Sequence, residues 1–319
     1  MSRRSMRQPL SYSRNEHTRN VARAHAAALQ HLIPDDCPER LGFTSKVELI
    51  MRHCIDNVQY ALAGTLTREE TRKAVTDDRV FPGLLCYRSL DDLDGPIAGA
   101  ECRVQVLDPR LGTGGMWAIY SPLVELGWME EIFTRAIEDS CQVAGKLQQF
   151  HVSSNIGRSI LLYRDRQNRT FIDRMSASMK EAGIRDERVH LELVEAIPHL
   201  EDEHVEVLRQ ATQRNIGIFI DDCGEGHSAT LLQECRSHAL PVHTLKMCAG
   251  ITTATHERQL RDVETWMQRA DGMDIRSLVF EGFQGSLITP AVIDRLHRTR
   301  ERMEATIPWH IEGPIFPDA

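Results

Sequence analysis

The stretch IGIFIDDCGEGHSATLL, residues 216–232, runs as an apolar strand into two adjacent aspartates and then turns through Gly224 and Gly226. Successive side chains on a straight strand point to opposite faces, so Asp221 and Asp222 would face different surroundings. If the strand ends there and the glycines reverse the chain, both carboxylates converge on one point. The competing reading is an Asp222 that only caps a turn, as aspartate often does.

The surroundings of this stretch bear on the choice. From about residue 83 onward short apolar segments alternate with helix-length ones: LLCYRSL at 84–90, IAGAECRVQV at 97–106, FHVSSN at 150–155, VHLELVE at 189–195, IGIFIDD at 216–222, VHTLKM at 242–247, SLVFEG at 277–282 and IPWHIEG at 307–313. Between two of them Leu126, Met129, Phe133, Ala136 and Ile137 trace a helical stripe. Eight strands alternating with helices imply a closed barrel of the (β/α)8 kind. The first two strands are joined only by DDLDG, which suits a hairpin and is too short for a helical crossover.

In such barrels the chemistry sits where strands end, so polar residues late in the strands belong together. Glu101, Asn155, Glu192, Asp221, Lys246 and Glu281 each come from a different strand, and an apolar core would tolerate none of them unpaired. A ring with four carboxylates repels itself unless cations lie within it. Oxygen ligands favour magnesium, manganese or calcium over zinc. Asp221 and Asp222 then read as a shared bridge between two ions, and the arrangement points to metal-dependent hydrolysis of a phosphate ester.

Residues 1–81 differ from the rest. They are Arg-rich and carry helical signals only: a capping box at Ser45–Glu48 followed by Val47, Ile50, Met51, Cys54, Ile55, Val58, Ala61 and Leu62 at helical spacing, and a second start at Thr67 before Glu69 and Glu70. They are expected to form an N-terminal helical module beside a barrel domain at 82–319. A net charge of −8 argues against binding duplex nucleic acid, whose phosphates require a basic surface. No apolar run is long enough to span a bilayer, and a cytoplasmic protein is expected. The eight cysteines show no CxxC pair and the fourteen histidines are dispersed, so neither suggests zinc.

These motifs resemble, in order, the EAL domain family of bacterial cyclic di-GMP phosphodiesterases over roughly residues 82–316. GAECRVQ at 99–105 is similar to the signature segment, with Glu101 as its first letter, and SPLVELGWMEEIF at 121–133 to the helix that follows. VSSN ends in Asn155, LELVE carries Glu192 and Glu195, DDCGEGHSATL resembles DDFGTGYSSL, LKM contains Lys246, and FEGFQ contains Glu281. The resemblance implies a modified TIM barrel with one antiparallel strand. It also implies two ions, Mg2+ or Mn2+, held by Glu101, Asn155, Glu192, Asp221, Asp222 and Glu281. Lys246 would orient water or stabilise negative charge, and Glu195 would hold the loop after Asp222. The implied product is linear pGpG, and the implied assembly a homodimer.

Departures from the family pattern fall on the nucleotide face. Cys102 and Arg103 replace the second and third signature letters, Gln105 the phosphate-gripping arginine, and Tyr87-Arg88 the Gln-Pro pair of the first strand. Glu312 stands for a glutamine near the end, Glu225 for the loop threonine and Gln284 for a glutamate. Tyr87, Arg88, Arg103, Gln105 and Glu312 are therefore the expected substrate-binding set, with Arg103 or Arg88 as a substitute phosphate grip. The alternative is a non-catalytic regulator that binds cyclic di-GMP, or a protein partner through the N-terminal helices.

Overall fold

The computed structural model describes residues 66–312 apart from 94, 109–111, 147–149, 185–186 and 283–288. The capping box at Ser45–Glu48, the stripe behind it and Gln284 lie outside the described residues.

Strand β1 (Val80–Ser89) turns back into β2 (Ile97–Asp108), and a short β3 (Gly112–Gly115) folds onto the end of β2. Strands β4 (His151–Ile156), β5 (Val189–Leu193), β6 (Ile216–Cys223), β7 (Thr244–Met247), β8 (Ser277–Glu281) and β9 (Trp309–Glu312) follow. From β2 through β4 to β9 each neighbour is parallel, and β1 closes the ring antiparallel to both β9 and β2. The barrel thus has eight strands, one of them reversed, with β3 as an added flap that the sequence pattern did not disclose. Arg88 stabilises the hairpin that reverses β1, donating to the carbonyls of Leu93 and Gly95 at 2.9 Å each.

Helices cover the outside. Helix α1 (Arg68–Thr76) starts at the expected Thr67 with a complete capping box to Glu70, and its Ala74 is buried against the barrel core. The longest helix among the described residues lies between β2 and β4, at Met129–Lys146, and buries Ile132, Ala136, Ile137 and Val143. Along each strand one face meets these helices: Leu191 and Leu193, Ile218 and Ile220, Leu278 and Phe280 are fully buried there. Each such side chain contributes about 1.5–3 kcal/mol.

The opposite face lines the barrel axis, and it is unusual. Barrel interiors are ordinarily filled by branched apolar residues. Here the inward positions include Glu101 and Arg103 on β2, Ser153 and Asn155 on β4, His190 and Glu192 on β5, Thr244 and Lys246 on β7, and His310 and Glu312 on β9. Gly99 leaves the room in which the Tyr87 hydroxyl lies, since a Cβ there would stand 2.3 Å from it. The apolar shell outside the barrel therefore carries the stability, and the axis is left for chemistry.

Candidate active site

At the C-terminal mouth of the parallel strands, Lys246 is the hub. Its buried ammonium lies 2.7 Å from Glu281 Oε1, 2.8 Å from Glu192 Oε2, 3.0 Å from Asp221 Oδ1, 3.1 Å from Glu101 Oε2 and 3.4 Å from Glu312 Oε2. Burial alone would drive its proton off, but the surrounding carboxylates, Asp221 foremost, hold it charged.

The paired aspartates are resolved by the backbone. The β6–β7 register shifts between Ile220 and Cys223, and Asp222 adopts φ +43°, a left-handed conformation rare outside glycine. This bulge lets Asp222 join Asp221 on one side, with ligand oxygens of Glu195, Asp221 and Asp222 within 4.8 Å of one another. The turn is then locked. The Ser228 hydroxyl donates to the Asp222 carbonyl at 3.1 Å, and the His227 amide donates to the Glu195 carbonyl at 2.9 Å. Gly226 has φ +47°, and a Cβ there would stand 2.7 Å from that same carbonyl. Burial first, and then the charges of Glu101 and Asp222, raise the Glu281 carboxyl against the pull of Lys246.

Glu101 is bound differently from its neighbours. Arg103 clamps it with Nε at 2.6 Å from Oε1 and Nη2 at 2.8 Å from Oε2. Asn155 Nδ2 adds a bond to Oε1 at 2.8 Å and Lys246 one to Oε2. Burial raises its pKa, but Arg103 and then Lys246 outweigh this and hold the carboxyl at about 2. Glu192 and Asp221 have no guanidinium; burial pushes them up to about 8 and about 6, against the opposing pull of Lys246. Burial likewise raises Asp222, Glu195, Glu281 and, furthest, Glu312.

Two features fit divalent ions. Glu192 Oε1 and Asn155 Oδ1 are buried without a hydrogen-bond partner, and an unpaired buried oxygen is costly unless a cation takes it. Excess carboxylate over the two resident cations also leaves room for positive charge. All donor atoms are oxygen, the set that magnesium and manganese prefer. Glu101, Glu281 and Glu312 form a second group with oxygens within 4.8 Å of one another.

The nucleotide-face set is scattered by the fold. Arg88 is turned into the β1–β2 hairpin and is spoken for by its two carbonyls, so its guanidinium is not at this mouth. It corrects the expectation that Arg88 grips phosphate: the short hairpin consumes it. Tyr87 is buried on the axis beside Glu312, its neighbour across β1 and β9, and forms the floor beneath the carboxylates. Glu192 and Glu312 reinforce burial in raising its pKa. Gln105 lies further up β2 on the face of Glu101 and Arg103, with Oε1 buried and unpartnered. Arg103 and Glu312 belong to the ring itself, a role the sequence reading did not give them. The alternation Glu101, Arg103, Gln105 on one strand was the signal that places them on one face.

Comparison with known proteins bears on this arrangement directly. The family model for the EAL domain matches residues 69–282. The chain belongs to the EAL domain family. Its backbone is similar to several solved EAL structures: the PaMucR phosphodiesterase in complex with c-di-GMP, at 17% identity and TM-score 0.60 over 77% of this chain and 93% of that one; an EAL domain protein from Listeria monocytogenes, at 16% and 0.57 over 79% and 92%; and the FimX EAL domain from Pseudomonas aeruginosa bound to c-di-GMP, at 13% and 0.56 over 77% and 92%. No curated protein matches the sequence. At these identities the structural likeness establishes the fold of this EAL domain. In it, the signature letters read Glu-Cys-Arg, and the third places a guanidinium on the first. No helix among the described residues is long and apolar enough to cross a membrane.

Proposed function

We propose that this EAL domain is a cytoplasmic, divalent-metal-dependent phosphodiesterase that opens one phosphodiester of cyclic di-GMP to give linear pGpG. The observation that carries the reading is the convergence of Glu101, Asn155, Glu192, Asp221, Asp222 and Glu281 around Lys246 at one mouth of the barrel.

Those six side chains would hold two ions, Mg2+ or Mn2+. When bound, the ions polarise the phosphate and make a water nucleophilic near neutral pH. The chain supplies the rest. Lys246 presents a fixed, buried positive charge to negative charge developing on the phosphoryl oxygens. Asp222 and Glu281, carboxyls that burial raises, provide a place for the proton of the attacking water. Glu195, through its carbonyl bond to His227, fixes the turn that keeps Asp222 inward. Gln105 at the rim offers an amide where the family has a phosphate-gripping arginine, and Arg103 is the guanidinium nearest that place.

The test is incubation of purified protein with cyclic di-GMP and manganese or magnesium, with products resolved by chromatography. Metal-dependent pGpG, absent in Glu101→Ala, supports the reading; no product from a folded protein at high concentration sinks it. One observation favours a second reading, a cyclic di-GMP receptor without turnover: every lone-pair direction of Glu101 is already met by Arg103, Asn155 or Lys246. Calorimetry with the nucleotide separates the two. A homodimer, and a protein partner for an N-terminal helical module at 1–81, belong to the same proposal.

A further inference from the structure

Of the five carboxylates around Lys246, Glu312 is the one that the six proposed metal ligands leave out. It ends β9, in register with Glu281 on β8 and with Tyr87 on β1. Strand β1 carries no acid of its own, so Glu312 is the last carboxylate before the ring closes across β1 onto Glu101.

Three observations single it out. First, its oxygens converge with others: ligand atoms of Glu101, Glu281 and Glu312 lie within 4.8 Å of one another. The other such group, Glu195, Asp221 and Asp222, shares no residue with this one. Oxygens on opposite sides of one magnesium ion stand about 4 Å apart, and on calcium about 5 Å, so the three carboxylates need little movement to share an ion.

Second, Glu312 is unmet. It is 1% exposed, and neither carboxyl oxygen has a hydrogen-bond partner. Its neighbours are served: Glu101 accepts from Arg103, Asn155 and Lys246, and Glu192 and Asp221 accept from Lys246. A buried carboxylate in this state is costly until a cation takes it.

Third, neither resident cation is available to it. Lys246 stands 3.4 Å from Glu312 and 2.7–3.1 Å from the other four carboxylates. Arg103 spends its two hydrogen bonds on Glu101. Glu101 and Glu281 alone would bring two negative charges to an ion; Glu312 makes three, and oxygen sites gain affinity with ligand charge.

We propose that Glu312 is a metal ligand, a seventh beside the six already named, which with Glu101 and Glu281 holds one divalent cation at the β8, β9 and β2 side of the mouth. This rests on the reading that the mouth takes divalent ions. Glu101 gives up part of the Arg103 clamp when that cation is bound.

The experiment titrates manganese chloride into the purified full chain and into Glu312→Gln, without nucleotide, by calorimetry and by the paramagnetic resonance signal of free manganese. Two binding steps are expected in the parent. In Glu312→Gln, which preserves side-chain volume, one step weakens at least about tenfold, since even residues behind a ligand are worth that much. Asp222→Asn, in the other group, weakens the other step, and the double variant weakens both. Should a variant fail to fold, crystals of the unmodified protein grown with manganese decide, by whether an anomalous peak lies within about 2.5 Å of a Glu312 oxygen. The proposal is overturned if Glu312→Gln binds manganese as tightly as the parent, the result for a protonated Glu312 that only stands in for glutamine. A manganese peak beyond that distance overturns it equally. A parent that binds no manganese overturns the reading of the mouth as a metal site, and this proposal with it; two intact steps in Glu312→Gln overturn this proposal alone.

Discussion

Replacing Arg103 with leucine is expected to move two quantities in opposite directions. The guanidinium holds Glu101 by two bonds of 2.6 and 2.8 Å and keeps 31% of its own side chain exposed. A hydrogen bond to a charged group contributes about 1.5–3 kcal/mol net; taking the low end for a partly hydrated cation, the pair contributes about 3 kcal/mol. Without metal, that support disappears while Glu101 stays fully buried. Its carboxyl leaves its present value of about 2 and rises, because burial is then opposed only by Lys246 and Asn155. A barrel of this size should then melt about 6–12 °C lower in EDTA. For an incoming ion the same clamp is an obstacle, since it must be broken to free a Glu101 oxygen. Its removal should raise manganese affinity by up to about a hundredfold, at 1.4 kcal/mol per decade. Calorimetry with manganese and melting curves with and without EDTA read both effects on one preparation. Manganese affinity that stays level or weakens, with an unmoved melting point in EDTA, would refute the idea that Arg103 competes with metal for Glu101.

Glu312→Gln removes a fully buried carboxyl whose two oxygens have no hydrogen-bond partner and whose pKa burial drives far up. The metal-free protein should gain about 1–2 kcal/mol, seen as a higher melting point, and a lower one would be inconsistent with a protonated Glu312. Stability should also depend on pH in a defined window. Folded pKa values of about 8 for Glu192 and about 6 for Asp221 lie above the ordinary 4.5 and 3.8, so the folded state binds more protons there. In EDTA the stability they provide is present below about 4 and is lost as pH rises through 6 and 8. Saturating manganese should displace those protons and flatten the slope, and proton release on metal binding is measurable in buffers of different ionisation enthalpy. Asp222→Asn keeps the bulge but loses one ligand charge; pGpG formation should drop by at least about a hundredfold with the melting point in EDTA little changed.

What the sequence disclosed follows the reach of its signals. Period-two alternation and the DDLDG hairpin are local, so eight strands and the reversal of the first were legible, and the ring residues followed because each sits late in its own strand. The flap at Gly112–Gly115 was not, because four residues rich in glycine carry no alternation. Arg88 was misplaced for a related reason. The hairpin was read correctly, but nothing in the letters says that its carbonyls need a donor, and the nearest long cation turned to them.

The adjacent aspartates show where local reading stops and tertiary structure begins. Alternation forbids both from facing inward, and the glycines two and four positions beyond Asp222 do not by themselves change that. The strain is borne by Asp222, at φ +43°, and it persists because Ser228, His227 and the close approach of Gly226 to Glu195 hold the turn from the far side. Four histidines of the other mouth, His151, His190, His243 and His310, obey the same logic in reverse. They look dispersed because three come from three different strands and His243 from the segment just before β7, yet His190 and His310 stand two residues before Glu192 and Glu312, on the same inward face. The alternation that marks the acids as inward marks the imidazoles of His151, His190 and His310 as inward too. A closed barrel converts an interval of two residues along several strands into a layer across its axis. Chemistry at one mouth therefore implies that whatever stands two positions earlier also meets at a common point, and here that layer is polar, aromatic and hollow.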